Sequence, residues 1–394
     1  MVSQVTIKAK VPLYKGEELA NSIELLQFEE VDFEVVRQKD LNQIGDKLLL
    51  VYPDFCIPDN ELFAEYWRPG GDESKSKLGK QGRVRAVKFN LHRGDGQPVY
   101  SNGIVLTESD INRFACQEYD GDGGVLYSKY LNEITDEDLG ITKYESPEVD
   151  SNGRNLKAGS SCPFPSDMYK TDEPNILTVK NLPFPARYVV RDKEDGSSVT
   201  LWVKNGKSGI CSRNLSKPLT EKYVVGMRSP TWWERIKIFF LVTVDLRVWG
   251  VKPAENDFVR IGLPYLRKLE DYCYANNCNL VLRGELSGKG LNGSGNKNNR
   301  LKEANQDIRF FGLDSYGTTA KRYHDDTFRE VATALNLPVC QLAFDRVFES
   351  REDLINTIQE YFSQNKNLEG VVIRTGKSSE ISAKIINLAY DALK

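Results

Sequence analysis

Lys193-Glu194-Asp195-Gly196-Ser197 lies between two short runs rich in β-branched residues, 188–190 and 199–203, and the reading of the chain turns on it. The flanking runs predict the two strands of a hairpin, with Asp195-Gly196 as its turn. On its own, Lys193 reads first as an exposed lysine beside that turn and only second as a nucleophile offered to a ligand. The second use needs the free amine, and a lysine with the ordinary pKa of ~10.4 holds little of it at neutral pH. A nucleophilic Lys193 therefore requires desolvation or nearby positive charge, for which Arg213, Lys384 and a bound metal ion are the candidates. Lys170, in Tyr169-Lys170-Thr171-Asp172-Glu173, is a rival, but it lacks the glycine that lets a backbone approach a phosphate.

Further along, Cys211-Ser212-Arg213-Asn214 places a guanidinium on a turn, where it can grip a phosphate or ribose oxygen bidentately. Glu285 follows the apolar strand at 279–282 and opens the loop Gly284-Glu285-Leu286-Ser287-Gly288-Lys289-Gly290. A carboxylate there can accept hydrogen bonds from ribose hydroxyls. The loop is not a P-loop, which needs four residues between its glycines and a hydroxyl after the lysine; here three intervene and Gly290 follows. Phe310 and Phe311 are neighbours on a strand and face opposite ways, so one can pack the core while the other stacks on a purine. Glu369, read alone, is a surface charge before Gly370 and the strand 371–373. Lys384 has a stem long enough to cross apolar surface to a phosphate oxygen.

In order, these segments and Phe310-Phe311-Gly312-Leu313-Asp314, Glu369-Gly370-Val371-Val372-Ile373-Arg374 and Lys384-Ile385-Ile386-Asn387 resemble the motif series of the covalent nucleotidyltransferases. That superfamily comprises the ATP-dependent DNA and RNA ligases and the mRNA capping guanylyltransferases. The resemblance covers residues 165–394 and implies a nucleotidyltransferase (adenylyltransferase) domain of antiparallel sheets with flanking helices. It implies Lys193 as the residue that attacks the α-phosphate of ATP, with Lys384 and Asp195 as further catalytic residues. Gly196, Arg213, Glu285, Phe310 and Lys384 would bind the nucleotide beside Lys193, Phe310 as the stacking ring or Phe311 if the register slips by one. Glu369 would hold Mg2+ or Mn2+. Some relatives carry Lys-x-Lys at the last motif, where this chain has Ile386 in the second place.

DNA ligases and capping enzymes carry an OB domain after the last motif, whereas this sequence runs only ten residues past Lys384 and has a small β-rich region in front. That order is similar to RNA ligases with an N-terminal OB domain, which seal 3′-OH/5′-phosphate nicks in duplexes. The implied partners are ATP and an RNA or RNA-containing duplex. A guanylyltransferase forming lysyl-GMP, a DNA ligase, and a non-catalytic nucleic-acid-binding protein stand as alternatives.

A chain of 394 residues accommodates two domains. The expected fold class is α+β: an OB-like β-barrel at 1–150, with short strands at 5–11, 47–52, 83–89 and 103–106, then the nucleotidyltransferase domain at 151–394. The boundary is set by the acidic run 120–140 and the Gly/Ser/Asn-rich run 146–161. Asp120-Gly121-Asp122-Gly123-Gly124 fails as a calcium loop because Leu131 occupies its twelfth position. Helices are expected from Pro264, with Leu266, Leu269 and Cys273 on one face, and around Leu354, Ile358, Tyr361 and Phe362.

The net charge of -3 advertises no polyanion partner, so any basic surface must be local. Arg83, Arg85, Lys88, His92 and Arg93 form the most basic stretch of the first half, either a phosphate-contacting strand or a solvated face. Seven scattered cysteines and two histidines argue against a structural zinc site and for a reducing compartment. With no signal-like start and no apolar run longer than that near 238–244, the expectation is a soluble, intracellular, monomeric protein that does not enter a membrane. Residues 218–262, Trp232-Trp233 included, suggest no role beyond packing.

Overall fold

The structure is a computed structural model that describes residues 1–112, 130–144, 162–227, 229, 231–234, 247–291, 298–375 and 381–393. Val2–Val11 organises the N-terminal part, burying Val5 and Ile7 completely. Its first half pairs antiparallel with Lys47–Val51 and its second half with Ile23–Phe28, the register shifting between Ile7 and Ala9. Such a bulge bends a strand, which lets one strand serve two directions of a curved sheet. The five-stranded order is Ile104–Leu106, Lys47–Val51, Val2–Val11, Ile23–Phe28, Glu34–Gln38. Val99–Asn102 runs into the first edge and also lies against the last, where Val36 N–H donates to Ser101 Oγ at 3.1 Å and Arg37 to the Val105 carbonyl at 2.6 Å. The two edges are thereby drawn together into a barrel-like sheet. Lys47–Val51 is apolar at every second position on both faces, because Leu48 and Leu50 enter one core cluster and Leu49 and Val51 another.

The C-terminal part contains two sheets, with every strand pairing in both antiparallel. Seven strands follow the order Cys162–Pro163, Leu215–Lys217, Lys207–Cys211, Ser197–Lys204, Leu280–Ser287, Asp307–Tyr316, Ala320–Arg322. Four follow the order Leu342–Phe348, Ala186–Lys193, Gly370–Thr375, Ser382–Ile386. The expected hairpin around the lysine box is not formed. Ala186–Lys193 is hydrogen-bonded on both edges by its own sheet and Ser197–Lys204 on both edges by the other, so neither has an edge left for its sequence neighbour. Glu194-Asp195-Gly196 is instead the crossover between two sheets.

The helix predicted from Pro264 begins earlier, spanning Asp257–Ala275, with the Asn256 side chain accepting from the Val259 N–H at its start. Pro264 and Arg260 both lie on its exposed side, so the backbone bond that proline removes is lost where water can replace it. Val259, Gly262, Leu266, Leu269 and Cys273 bury the opposite face against the seven-stranded sheet. Arg351–Gln364, capped by Ser350, buries Leu354, Ile358 and Phe362 against the smaller sheet. Thr220–Met227 and Arg247–Pro253 form a separate hairpin. Trp232 and Trp233, expected to pack, are 66% and 69% exposed and meet each other edge to face. The apolar run 238–244 and the whole Gly/Ser/Asn-rich run 146–161, where the domain boundary was expected, lie outside the described residues, as does Asp120–Gly124. Among the described residues no helix is long and apolar enough to cross a membrane.

Phe310 corrects another expectation. It is fully buried under the Asp257–Ala275 helix, edge to face with Tyr265 at 5.3 Å between centroids, and presents no ring to a ligand. A register shift between Arg283 and Gly284 sets which residue of Asp307–Tyr316 faces the helix, and it turns Phe311 to the other side. Phe310→Ala is expected to lower stability by about 3–5 kcal/mol in urea titration, and Phe311→Ala markedly less.

Candidate functional site

Lys193 ends its strand opposite Gly370, so its side chain leaves the smaller sheet beside the residue before that glycine, Glu369. Lys193 Nζ donates to Glu369 Oε2 in a direct ion pair, with the lysine side chain 29% exposed and the glutamate 10%. Gly370 is required for this approach: a Cβ there would lie 2.4 Å from the Ile385 carbonyl oxygen of the next strand. Gly196 does the same for the other sheet. A Cβ on it would meet the Leu286 carbonyl oxygen at 2.5 Å and Glu285 Cγ at 3.0 Å, so only glycine lets the crossover lie against the strand that carries Glu285. Asp195 accepts from the Tyr390 hydroxyl at 2.7 Å. Glu285 sits within Leu280–Ser287 and not at its end, two residues from the strand's last position.

The carboxylates govern Lys193. Burial acts to lower its pKa, but Glu369 first, then Glu285 and Asp195, override burial and hold the amine above the ordinary lysine value. The expected lowering by neighbouring cations is therefore reversed in this arrangement, because Glu369 touches the amine whereas the cations face elsewhere. The Glu285 carboxyl is pushed up to about 8, by burial first; Lys193 opposes this while Glu369 and Asp195 add to it.

Arg213 and Lys384 converge on one carboxylate. Arg213 Nη2 lies 3.5 Å from Asp172 Oδ2, and Lys384 Nζ lies 3.9 Å from Asp172 Oδ1 and 3.6 Å from Asp54 Oδ2 of the N-terminal part. Arg213 Nε is buried with no hydrogen-bond partner among the described residues. Burial lowers the Lys384 pKa, with Lys193 and Arg213 adding to this and Asp54 and Glu369 opposing it. Lys170 is exposed and donates to Asn214 Oδ1 at 2.5 Å, a place on the rim.

Beneath this rim lies a buried charged layer that sequence reading did not identify. Arg283 pairs with Asp314 at 2.8 Å, its guanidinium 4.7 Å from the Tyr169 ring centroid. Glu173 accepts from Arg322 at 2.9 Å and Arg374 at 3.0 Å, and Arg374 also donates to the Phe311 carbonyl at 3.1 Å. Phe311 thus shares a strand face with Glu285 and Arg283. A signal was present, since Asp172 and Glu173 stand in the quoted Lys170 segment, but nothing in the sequence says which arginines they meet. The basic N-terminal stretch is largely committed: Arg83 pairs with Asp54 and Arg93 with Glu34, while Lys88 is exposed.

The fit to a divalent cation can be judged from the donor set. Glu369 pairs with the Lys193 amine and Glu285 lies within electrostatic reach of both, and the mutual repulsion of two buried carboxylates suits a cation. Magnesium or manganese needs only one or two carboxylates when water and phosphate oxygens complete the shell. Among the described residues no three His, Cys, Asp or Glu side chains converge as a closed cage, so the fit is to a mostly hydrated ion.

Burial acts to raise the pKa of Glu173, but Arg374 and Arg322 outweigh it and bring the carboxyl down to about 2 from 4.5. Its depressed folded value means that it stabilises above the unfolded pKa, and that this contribution fades as pH falls from 4.5 toward 2. Glu173→Gln is expected to cost about 3–5 kcal/mol at neutral pH by leaving buried guanidinium charge unpaired. Urea titrations of both proteins across that acid range should show the difference shrinking.

Comparison with protein-family models and with curated proteins gives no match. Among solved structures, the chain is similar to mutants of the Naegleria gruberi RNA ligase with AMP and Mn, at 19% identity and a TM-score of 0.66, and with ATP and Mn, at 19% identity and 0.65. It is likewise similar to the Naegleria gruberi RNA ligase with PPi, at 20% identity and 0.64. Each match covers 99% of this chain and 97% of the other. Over nearly its full length, barrel-like N-terminal part included, this chain has the fold of an RNA ligase.

Proposed function

We propose that the chain is an ATP-dependent RNA ligase joining 3′-OH and 5′-phosphate ends, at nicks in duplexes, through a lysyl-AMP intermediate and an adenylylated polynucleotide. The observation that carries this reading is Lys193 paired with Glu369 at a sheet junction, with Glu285 within electrostatic reach and Arg213 and Lys384 sharing Asp172. The fold likeness, to a ligase solved with ATP, AMP, Mn and PPi, supports the same reading. Residues 1–150 act as an OB-type module for the duplex and 151–394 as the nucleotidyltransferase domain.

In this reading Glu369 and Glu285 would hold a divalent ion, which when bound would supply positive charge to the phosphates. Glu369 is the main influence raising the Lys193 pKa, so the amine gives up its proton to water once that carboxylate no longer pairs with it. The Lys193 nitrogen forms its bond to the α-phosphorus as the bond to the β-phosphate oxygen breaks, and pyrophosphate leaves. Arg213 and Lys384, now facing Asp172, turn that positive charge to phosphate oxygens. Asp195 and Gly196 keep the crossover against Glu285, and Phe311 offers the ring on the site's face of the strand. The adenylate then passes to the 5′-phosphate, and the 3′-OH displaces AMP. Lys384 alone serves where some relatives have two lysines.

Incubation with magnesium and α-labelled ATP should leave label on the denatured protein, and Lys193→Ala should abolish it. Label from GTP in place of ATP would turn the reading to a guanylyltransferase, and equal labelling of Lys193→Ala would remove the nucleophile. The labelled protein should then seal nicked duplexes whose 3′-OH strand ends in ribonucleotides. Sealing confined to deoxyribonucleotide ends would make it a DNA ligase.

A further inference from the structure

Arg300 belongs to none of the motifs that carry the ligase reading, yet it grips the residues on both sides of Lys193. Its Nη2 lies 2.7 Å from Asp192 Oδ2 and 2.6 Å from Glu194 Oε1, and its Nε lies 3.2 Å from Glu194 Oε2. The Asp192 and Glu194 side chains are 0% and 3% exposed. Asp192 lies on the face of the strand opposite Lys193, as alternation requires, and Glu194 opens the crossover, so the guanidinium ties together the two side chains that flank the lysine. Its neighbour Asn299 donates to the Asp195 carbonyl at 2.6 Å while accepting from the Leu301 N–H at 2.8 Å.

The base of this grip is firm. Residues 299–301 lie in the connection that follows Glu285's strand, and its neck is closed by Lys289 N–H donating to the Ala304 carbonyl at 2.9 Å. Gly288 packs so tightly on Gln306 that a Cβ would lie 2.5 Å from its Cα. The connection leaving one carboxylate of the site therefore returns to fix the peptide of the nucleophile. Asp192 is held from the other side as well, by the Tyr361 hydroxyl at 2.9 Å.

We propose that Arg300 is a positioning residue for lysine adenylylation: its bidentate grip on Asp192 and Glu194 fixes the Lys193 peptide so that the amine is aligned on the α-phosphate. This rests on the ligase reading of the site. The rival role is simple neutralisation of two buried carboxylates, and charge-balanced variants separate the two. Arg300→Lys keeps the charge and loses the fork; the triple variant Asp192→Asn, Glu194→Gln, Arg300→Met removes both charges and the grip together.

In variants whose thermal unfolding shows them folded, the single-turnover rate of labelling by ATP should fall about 10- to 100-fold, the scale set by small misplacements of a reacting group. Equilibrium binding of ATP, measured with Lys193→Ala in each background, should change less than about threefold. Recovery of the wild-type rate in the triple variant, or a loss of affinity matching the loss of rate, would overturn the proposal in favour of charge neutralisation. Amide hydrogen exchange of the peptide spanning 188–200 gives a readout independent of ligase activity. It should rise in the triple variant relative to the helix Arg351–Gln364; unchanged exchange would also overturn the proposal. If the wild-type protein takes no label from ATP, the ligase reading fails, and the exchange measurement still decides whether Arg300 clamps the lysine box.

Discussion

Ala186–Lys193 ends in one sheet and Ser197–Lys204 begins in the other, and the crossover between them brings carboxylates from both sheets to one amine. The approach is possible because two positions lack a Cβ. Gly370 lets its strand close on Ile385, which sets Glu369 beside Lys193, and Gly196 lets the crossover close on Leu286, which brings Glu285 within electrostatic reach. The smaller sheet supplies Lys193 and Glu369 together, and the larger sheet adds Glu285. The site exists only where they meet, and the hydrophobic cores beneath each sheet serve to hold that junction still.

Charge in the site is arranged in opposed layers. Carboxylates face Lys193, cations face Asp172, and Glu173 sits between two arginines below. Each group is compensated by a partner of opposite sign, which is how so many ionisable side chains can be partly buried without an intolerable desolvation cost.

Which residues meet at the site was largely legible in the sequence, and the topology that brings them together was not. Lys193, Glu285 and Glu369 could be ordered along the chain because their glycine neighbours and strand patterns are local. The hairpin was misread because two adjacent apolar runs say nothing about which distant strands will take their edges; Ala186–Lys193 is paired by residues more than a hundred positions away. Phe310 and Phe311 show the same limit at finer scale. Alternation places them on opposite faces, but only the bulge beside Gly284 decides which face meets the helix. Arg300 and Arg322 escaped notice, and Arg374 was quoted in its motif without a partner, because an arginine's partner is fixed by packing, not by its neighbours in sequence.

Lys193 and Lys384 make the decisive physical point, since they share one site and are pushed in opposite directions. Both amines are buried, and burial alone would lower both. Lys193 touches Glu369 directly, with Glu285 and Asp195 close behind, and Coulomb attraction at contact outweighs desolvation. Lys384 is shared between Asp54 and Asp172 at 3.6 and 3.9 Å, and the positive charges of Lys193 and Arg213 work against it, so desolvation wins. The direct contact with Glu369, more than the burial that the two amines share, sets the direction for Lys193.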